Sequence, residues 1–145
     1  MTTDTTARLT TVAHDFRSSV HGKLEQSKVD AAVAALAAAT TTYSANGSVA
    51  SLIFYLRFKV DVKGGKSFTG NAGGITTPGG GALFGDVYTD DINKLYSNTV
   101  SFEFQGTPVY LSILFFDESS NLLGHFQSGA VSTVLGIGGG SGTWS

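Results

Sequence analysis

Leu52-Ile53-Phe54-Tyr55-Leu56-Arg57-Phe58-Lys59-Val60-Asp61-Val62-Lys63 alternates almost without error. Leu52, Phe54, Leu56, Phe58, Val60 and Val62 are apolar, and from Tyr55 onward the intervening positions are Tyr, Arg, Lys, Asp and Lys. Successive side chains of a strand point to opposite faces, so the pattern predicts one greasy face and one wet one. At about 3.3 Å per residue the stretch would span roughly 40 Å, against about five or six residues for an ordinary strand. A strand this long, starting near Val49, is expected to coil around its own core as the wall of a barrel.

Composition points the same way. The chain has 145 residues, which fits one domain, and 41% are hydrophobic, enough for one core. Charged residues make up only 14%, while glycine accounts for 19 positions and proline for two. Excess glycine between short apolar runs favours an all-β fold with tight turns. A formal charge of −2 creates no strong positive field, so nucleic acid is not an expected partner. With no cysteine, disulfides and thiolate metal sites are excluded. No apolar run reaches the roughly 20 residues of a membrane helix, so no transmembrane segment is expected.

Residues 1–20 are rich in Thr and Ser and read as a flexible or weakly ordered segment, leaving 21–145 as a helix-plus-barrel domain. The one helix is expected from Ser27, a good N-cap, to about Thr40, through an alanine-rich run with Val29, Val33 and Leu36 on one stripe. Asn46-Gly47 would end it, and it would lie across a barrel mouth as a lid. Thereafter the chain reads as strands and turns. Gly64-Gly65 is a hairpin signal, and Lys66 to Asn71 returns. Gly73-Gly74 and Gly79 to Gly81 frame a loop around Pro78. Further strands are expected at Ala82 to Tyr88, Ile92 to Tyr96, Val100 to Gln105, Val109 to Phe116, Leu122 to Gly129 and Val131 to about Trp144. The total is about eight, the number that closes a barrel just filled by side chains, and short connections imply antiparallel neighbours.

Little in this pattern is catalytic chemistry. His125 falls out of phase with Phe126 and is expected on the surface. Asp86, Asp90 and Asp91 lack the spacing of a calcium loop, and Asp90 and Asp91 read as turn residues, so no metal or cofactor is expected. Gly136 to Gly142 lacks the lysine of a phosphate loop and reads as strand glycine. Trp144 is expected to plug one rim. Arg57, Lys59, Lys63 and Lys66 form a basic stripe, the candidate contact with an acidic partner. With few carboxylates and a core of Phe, Leu, Val and Ile, the barrel is expected to stay folded down to about pH 4.5.

The second half carries a recognisable set of runs: Gly-Gly-Ala-Leu-Phe-Gly-Asp-Val-Tyr-Thr-Asp-Asp (80–91), Ser-Phe-Glu-Phe (101–104), Phe-Phe-Asp (115–117), Leu-Leu-Gly-His-Phe-Gln-Ser-Gly-Ala (122–130) and Gly-Ile-Gly-Gly-Gly-Ser-Gly-Thr-Trp (136–144). Together they resemble the secreted virulence-associated (Vap) proteins of pathogenic rhodococci, from about Val20 to the C-terminus. The resemblance implies a compact eight-stranded antiparallel barrel with one helix and a packed interior. It also implies export, and a role in survival inside macrophages linked to blocked phagosome maturation. It supplies no catalytic residues.

The reading is therefore an all-β closed antiparallel barrel with one helix near the N-terminus. Functionally it is a non-enzymatic secreted effector, monomeric and without cofactor, acting through its surface on a host protein or membrane component. The rival is a carrier of small hydrophobic ligands, which would need polar groups pointing inward to orient its cargo. A hydrolase would need a polar cleft that the pattern does not supply. Phe54, Leu56, Phe58, Phe102, Phe104, Leu111, Ile113 and Phe115 are expected to form one core.

Overall fold

The computed structural model describes residues 41–129 and 134–145, and before them the isolated positions His14, Asp30, Val33 and Ala34. Apart from those four positions, which have helical backbone, the N-terminal segment and the helix expected up to about Thr40 lie outside the described residues. The strands are β1 (Thr42–Ser51), β2 (Tyr55–Val62), β3 (Ser67–Thr76), β4 (Gly79–Tyr88), β5 (Ser101–Gly106), β6 (Tyr110–Phe116), β7 (Leu122–Gly129) and β8 (Gly136–Trp144). Helix α1 (Ile92–Asn98) lies between β4 and β5. The strands close an antiparallel barrel in the order β1-β2-β3-β8-β5-β6-β7-β4.

The long strand expected from Val49 to Lys63 is two strands. The chain turns back at Leu52 to Phe54, so that Val49 pairs with Phe58 and Ser51 with Leu56. Leu52 N–H donates to the Tyr55 carbonyl at 2.9 Å, and Ile53 takes a φ of 80°. That turn contains no Gly, Asn or Pro, the residues that normally mark a reversal, and the apolar alternation runs straight through it. Leu52 and Phe54 consequently face solvent, and Phe54 leaves the expected core. Asn46-Gly47, read as a helix stop, sits inside β1, where a side chain at Gly47 would strike the Lys59 carbonyl.

Two further expectations change for related reasons. Gly73-Gly74 and Gly79 to Gly81 belong to β3 and β4 and do not frame a loop, and at Gly74 and Gly80 a neighbouring backbone crowds the space a side chain would take. A Cβ at Gly80 would stand 2.7 Å from the Val49 carbonyl oxygen. Only Thr77 and Pro78 then connect β3 to β4, yet those strands are not neighbours. The connection passes over the ends of β2 and β1, so the rule that a short link implies pairing fails here.

The described helix sits mid-chain, not near the N-terminus, and replaces the strand expected over Ile92 to Tyr96. Asp91 adopts an extended conformation and its carboxylate accepts the Lys94 N–H at 3.0 Å, an N-cap that diverts the chain into a helix. Ile92, Leu95 and Tyr96 fall at helical spacing and pack on the barrel core. Tyr96 stands 5.2 Å from the Trp144 ring, so α1 and Trp144 together close this mouth. The Gly64-Gly65 hairpin forms as read, with Gly64 at a φ of 75° and Gly65 N–H donating to the Val62 carbonyl.

Inside the barrel, large rings face bare backbone. Phe58, Phe68, Phe102, Phe104 and Phe115 are buried and contact one another, with Phe58 to Phe104 centroids 4.8 Å apart and Phe68 to Phe115 4.9 Å. Gly140 pairs with Phe102, Gly138 with Phe104 and Gly70 with Phe58. A Cβ at Gly70 would lie 2.6 Å from the Phe102 ring and 2.7 Å from that of Phe68. At Gly140 it would collide with the Asn71 carbonyl. Leu56, Leu111 and Ile113 complete the core as expected.

Phe58→Ala should cost about 3–5 kcal/mol in a urea melt, and Lys59→Ala, one residue on but outside, under about 0.5 kcal/mol. Gly140→Ala should cost about 2–3 kcal/mol through backbone displacement. Gly73→Ala, where nothing lies within 4 Å of the added carbon, should change stability by less than about 0.5 kcal/mol. Equal losses at Gly140 and Gly73 would contradict the crowded face.

Candidate functional site

A site inside this barrel would need space and inward polar groups. Apart from Ser51, Thr76 and Ser128, buried hydroxyls that are already hydrogen-bonded, the inward positions hold mainly Phe, Leu, Val, Ile, Ala and Gly packed into one cluster, so the described interior offers no set of free polar groups. Chemistry must therefore be sought on the outside and at the ends.

The basic residues occupy two separate places. Arg57 and Lys59 are exposed on the outer face of β2, at alternate positions. Lys63 and Lys66 flank the β2–β3 turn at the far end of that strand, roughly 20 Å from Arg57 by strand rise. Asp61 stands between the pairs and its carboxylate lies 3.9 Å from the Lys59 ammonium. Lys66 also lies 6.0 Å above the Tyr96 ring, which ties it to the α1 end. One continuous stripe in the sequence is thus two pairs in space, split by an acid.

His125 points out of the barrel, as its phase requires, but it is fully buried and not a surface residue. Its ring stacks on Tyr88 with centroids 4.9 Å apart and planes 11° apart. The Gln127 amide nitrogen lies 3.0 Å from His125 Nδ1 and 2.9 Å from the Ser112 hydroxyl, donating to both, which leaves the ring proton on Nε2. Among the described residues His125 Nε2 and Gln127 Oε1 have no partner. The reason sequence phase misled is that β6 is buried on both faces, from Tyr110 to Phe116, and the outer face of β7 is buried beside it. Burial lowers the His125 pKa from its ordinary 6.5 to about 3.

Two acids in turns do structural work. Asp91 caps α1, and Asp117 accepts the Ser119 and Asn121 N–H groups at 2.9 Å in the β6–β7 turn. No three His, Asp or Glu side chains converge on a common point among the described residues. Two open depressions lie at the α1 end. One of about 240 Å³ runs between Asp90, Lys94 and Leu122, and one of about 310 Å³ between Asn98 and Glu118. Both are shallow and neither holds a nucleophile paired with a base.

Sequence reasoning missed the opposite end. There the β1–β2 turn, Val109 of the β5–β6 turn and Leu135 before β8 all expose large apolar side chains. The available signal was negative: 42–56, 67–85, 104–116 and 126–145 contain no Asp, Glu, Lys or Arg. Only the strand order shows that these segments meet at one end.

The family model described as "Rhodococcus equi virulence-associated protein" matches residues 2–145. The solved structure of virulence-associated protein VapB from the intracellular pathogen Rhodococcus equi is 47% identical, with a TM-score of 0.69, over 72% of this chain and 96% of that chain. The structure of VapD from the same organism is 41% identical, with a TM-score of 0.68, over 72% of this chain and 97% of that one. No curated protein sequence matches significantly.

The buried histidine sets an acid limit. Its folded pKa lies below the unfolded value, so the unfolded chain binds the extra proton. The stability it contributes is whole above about pH 6.5 and is lost as pH falls toward about 3. Between pH 7 and 4.5 this removes roughly 2–3 kcal/mol, at about 1.4 kcal/mol per pH unit. Urea melts across that range should show the loss, and His125→Phe, which cannot titrate, should flatten the slope. An unchanged slope in the variant would assign the acid sensitivity to other groups.

Proposed function

Because the chain belongs to the Rhodococcus equi virulence-associated protein family, we propose that it is a secreted, non-enzymatic virulence effector. In this reading it works at the bacterial surface or beyond it, in the host phagosome. It promotes survival in macrophages by interfering with phagosome maturation through contacts of its outer surface, as a monomer without a cofactor. The observation that carries the surface reading is the filled interior: Phe rings against inward glycines leave a ligand nowhere to go. The same packing speaks against the hydrophobic-ligand carrier, which depends on a lumen. No described helix is long and apolar enough to cross a membrane.

Arg57, Lys59, Lys63 and Lys66 are the proposed contact residues, and their exposure lets them be changed without touching the core. Purified protein delivered to macrophage endosomes should delay their maturation with no enzymatic turnover. A variant in which these four basic residues become serine should fold with the same β circular dichroism and lose most of the effect. A folded variant that acts as well as the parent would refute these contacts. Saturable one-to-one binding of a fluorescent fatty acid would instead favour the carrier.

A further inference from the structure

The β1–β2 turn breaks the ordinary rules of turn chemistry. Leu52 is 77% exposed, Ile53 40%, Phe54 68% and the adjoining Tyr55 52%. Gly or Asn would take the positive φ of Ile53 at little cost, whereas a β-branched residue there is strained. The strain is held in place. Ser51 and Thr76 are buried and their hydroxyls lie 2.7 Å apart. The Ser51 hydroxyl accepts the Ile53 N–H at 3.2 Å, and the Thr76 N–H donates to the Ile53 carbonyl at 3.1 Å. Four large side chains, Leu52, Ile53, Phe54 and Tyr55, are thus presented to water on a turn held by hydrogen bonds.

Charge is arranged around that tip. Within 41–145 no Asp, Glu, Lys or Arg among the described residues lies at this end of the barrel, and the first charges met along the outer face of β2 are the cations Arg57 and Lys59. They follow Tyr55 at alternate positions, about 7 Å apart along the strand. Asp61, the first acid, comes only after both.

A protein partner fits this shape poorly. A specific interface needs about 800 Å² from each side, more than a three-residue turn and the tyrosine beside it supply. A bilayer surface fits well. Apolar groups sink about 5–10 Å into the boundary between headgroups and acyl chains, aromatic rings such as Tyr favour the headgroup level, and basic residues just behind meet anionic lipid. We propose that the β1–β2 tip is a lipid-docking site, in which Leu52, Ile53 and Phe54 enter the membrane boundary while Arg57 and Lys59 hold anionic headgroups. Docking would set the barrel with its charged α1 end away from the membrane. This inference names a partner for the surface reading above and rests on that reading for its biological setting. Its physical test uses no cells, so its failure leaves the effector reading standing.

The test is flotation of the full chain with vesicles of phosphatidylcholine alone and of phosphatidylcholine mixed with phosphatidylglycerol. Binding to the mixed vesicles is expected, stronger than to phosphatidylcholine and weakened by added salt. Leu52→Ser with Phe54→Ser should lower the partition coefficient roughly tenfold or more on both vesicle types. Arg57→Ala with Lys59→Ala should lower it by roughly fivefold per residue on the mixed vesicles and leave phosphatidylcholine binding unchanged. Lys94→Ala, at the α1 end, should have no effect. All of these side chains are exposed, so unchanged circular dichroism and melting temperature are expected and serve as the control. In Phe54→Trp, indole emission should shift to the blue on the mixed vesicles, while Trp144, the only native tryptophan, is already buried. Failure of the parent chain to float, or equal flotation of the Leu52/Phe54 variant, would overturn the proposal. Loss of self-association in that variant, with no vesicle binding by the parent, would assign the tip to a second copy of the chain and overturn it too.

Discussion

Aromatic rings standing over inward glycines are the contact on which the rest of this barrel depends. A small barrel has a fixed interior to fill, and Phe58, Phe68, Phe102, Phe104 and Phe115 are too bulky to fill it from every strand. Glycines at 70, 138 and 142 give the rings the space a side chain would take, and Gly140 gives it to the backbone of β3. They also let β3, β8 and β5 pair closely, because β8 is flanked by both. Bulk on one strand and its absence on the next are therefore a single device. It packs the interior with rings and backbone, which is what supports a reading of this protein through its exterior.

That exterior is not uniform. The α1 end carries the helix cap, the acids of the β6–β7 turn and the lysines of the β2–β3 turn. The opposite end carries apolar side chains and, among the described residues of 41–145, no charge. Along the side, the outer faces of β6 and β7 are buried and hold a polar chain from Ser112 through Gln127 to His125. Buried polar groups are expensive unless paired, and two atoms of this chain are unpaired among the described residues. The fold thus keeps one proton-sensitive imidazole buried in its wall.

The β1–β2 turn shows what such a fold can tolerate. Strain at Ile53 and exposure at Leu52 and Phe54 both oppose folding, and a core built from many interlocking rings has the reserve to absorb them. Local rules are usually broken where function requires it, which is why this turn draws attention over the better-behaved Gly64-Gly65 hairpin.

Period-two alternation made the all-β class, the approximate strand number and most of the core legible in the chain itself. Leu56, Phe58, Phe102, Phe104, Leu111, Ile113 and Phe115 needed only their phase, since facing is a local property of a strand. The family likeness was equally legible, because its runs are contiguous. Three things were not. The reversal at Leu52 to Phe54 is held by Ser51 and Thr76, partners 25 residues apart, and shows no turn residue of its own. Helix α1 depends on one cap and on the barrel mouth it covers, so a seven-residue segment read in isolation passed for a strand. His125 had the right direction and the wrong environment, because phase tells which way a side chain points but not whether that face meets water. Alternation is written residue by residue, whereas strand order, mouth closure and outer burial arise only when distant segments meet. Those meetings alone decided which residues this protein presents to its surroundings.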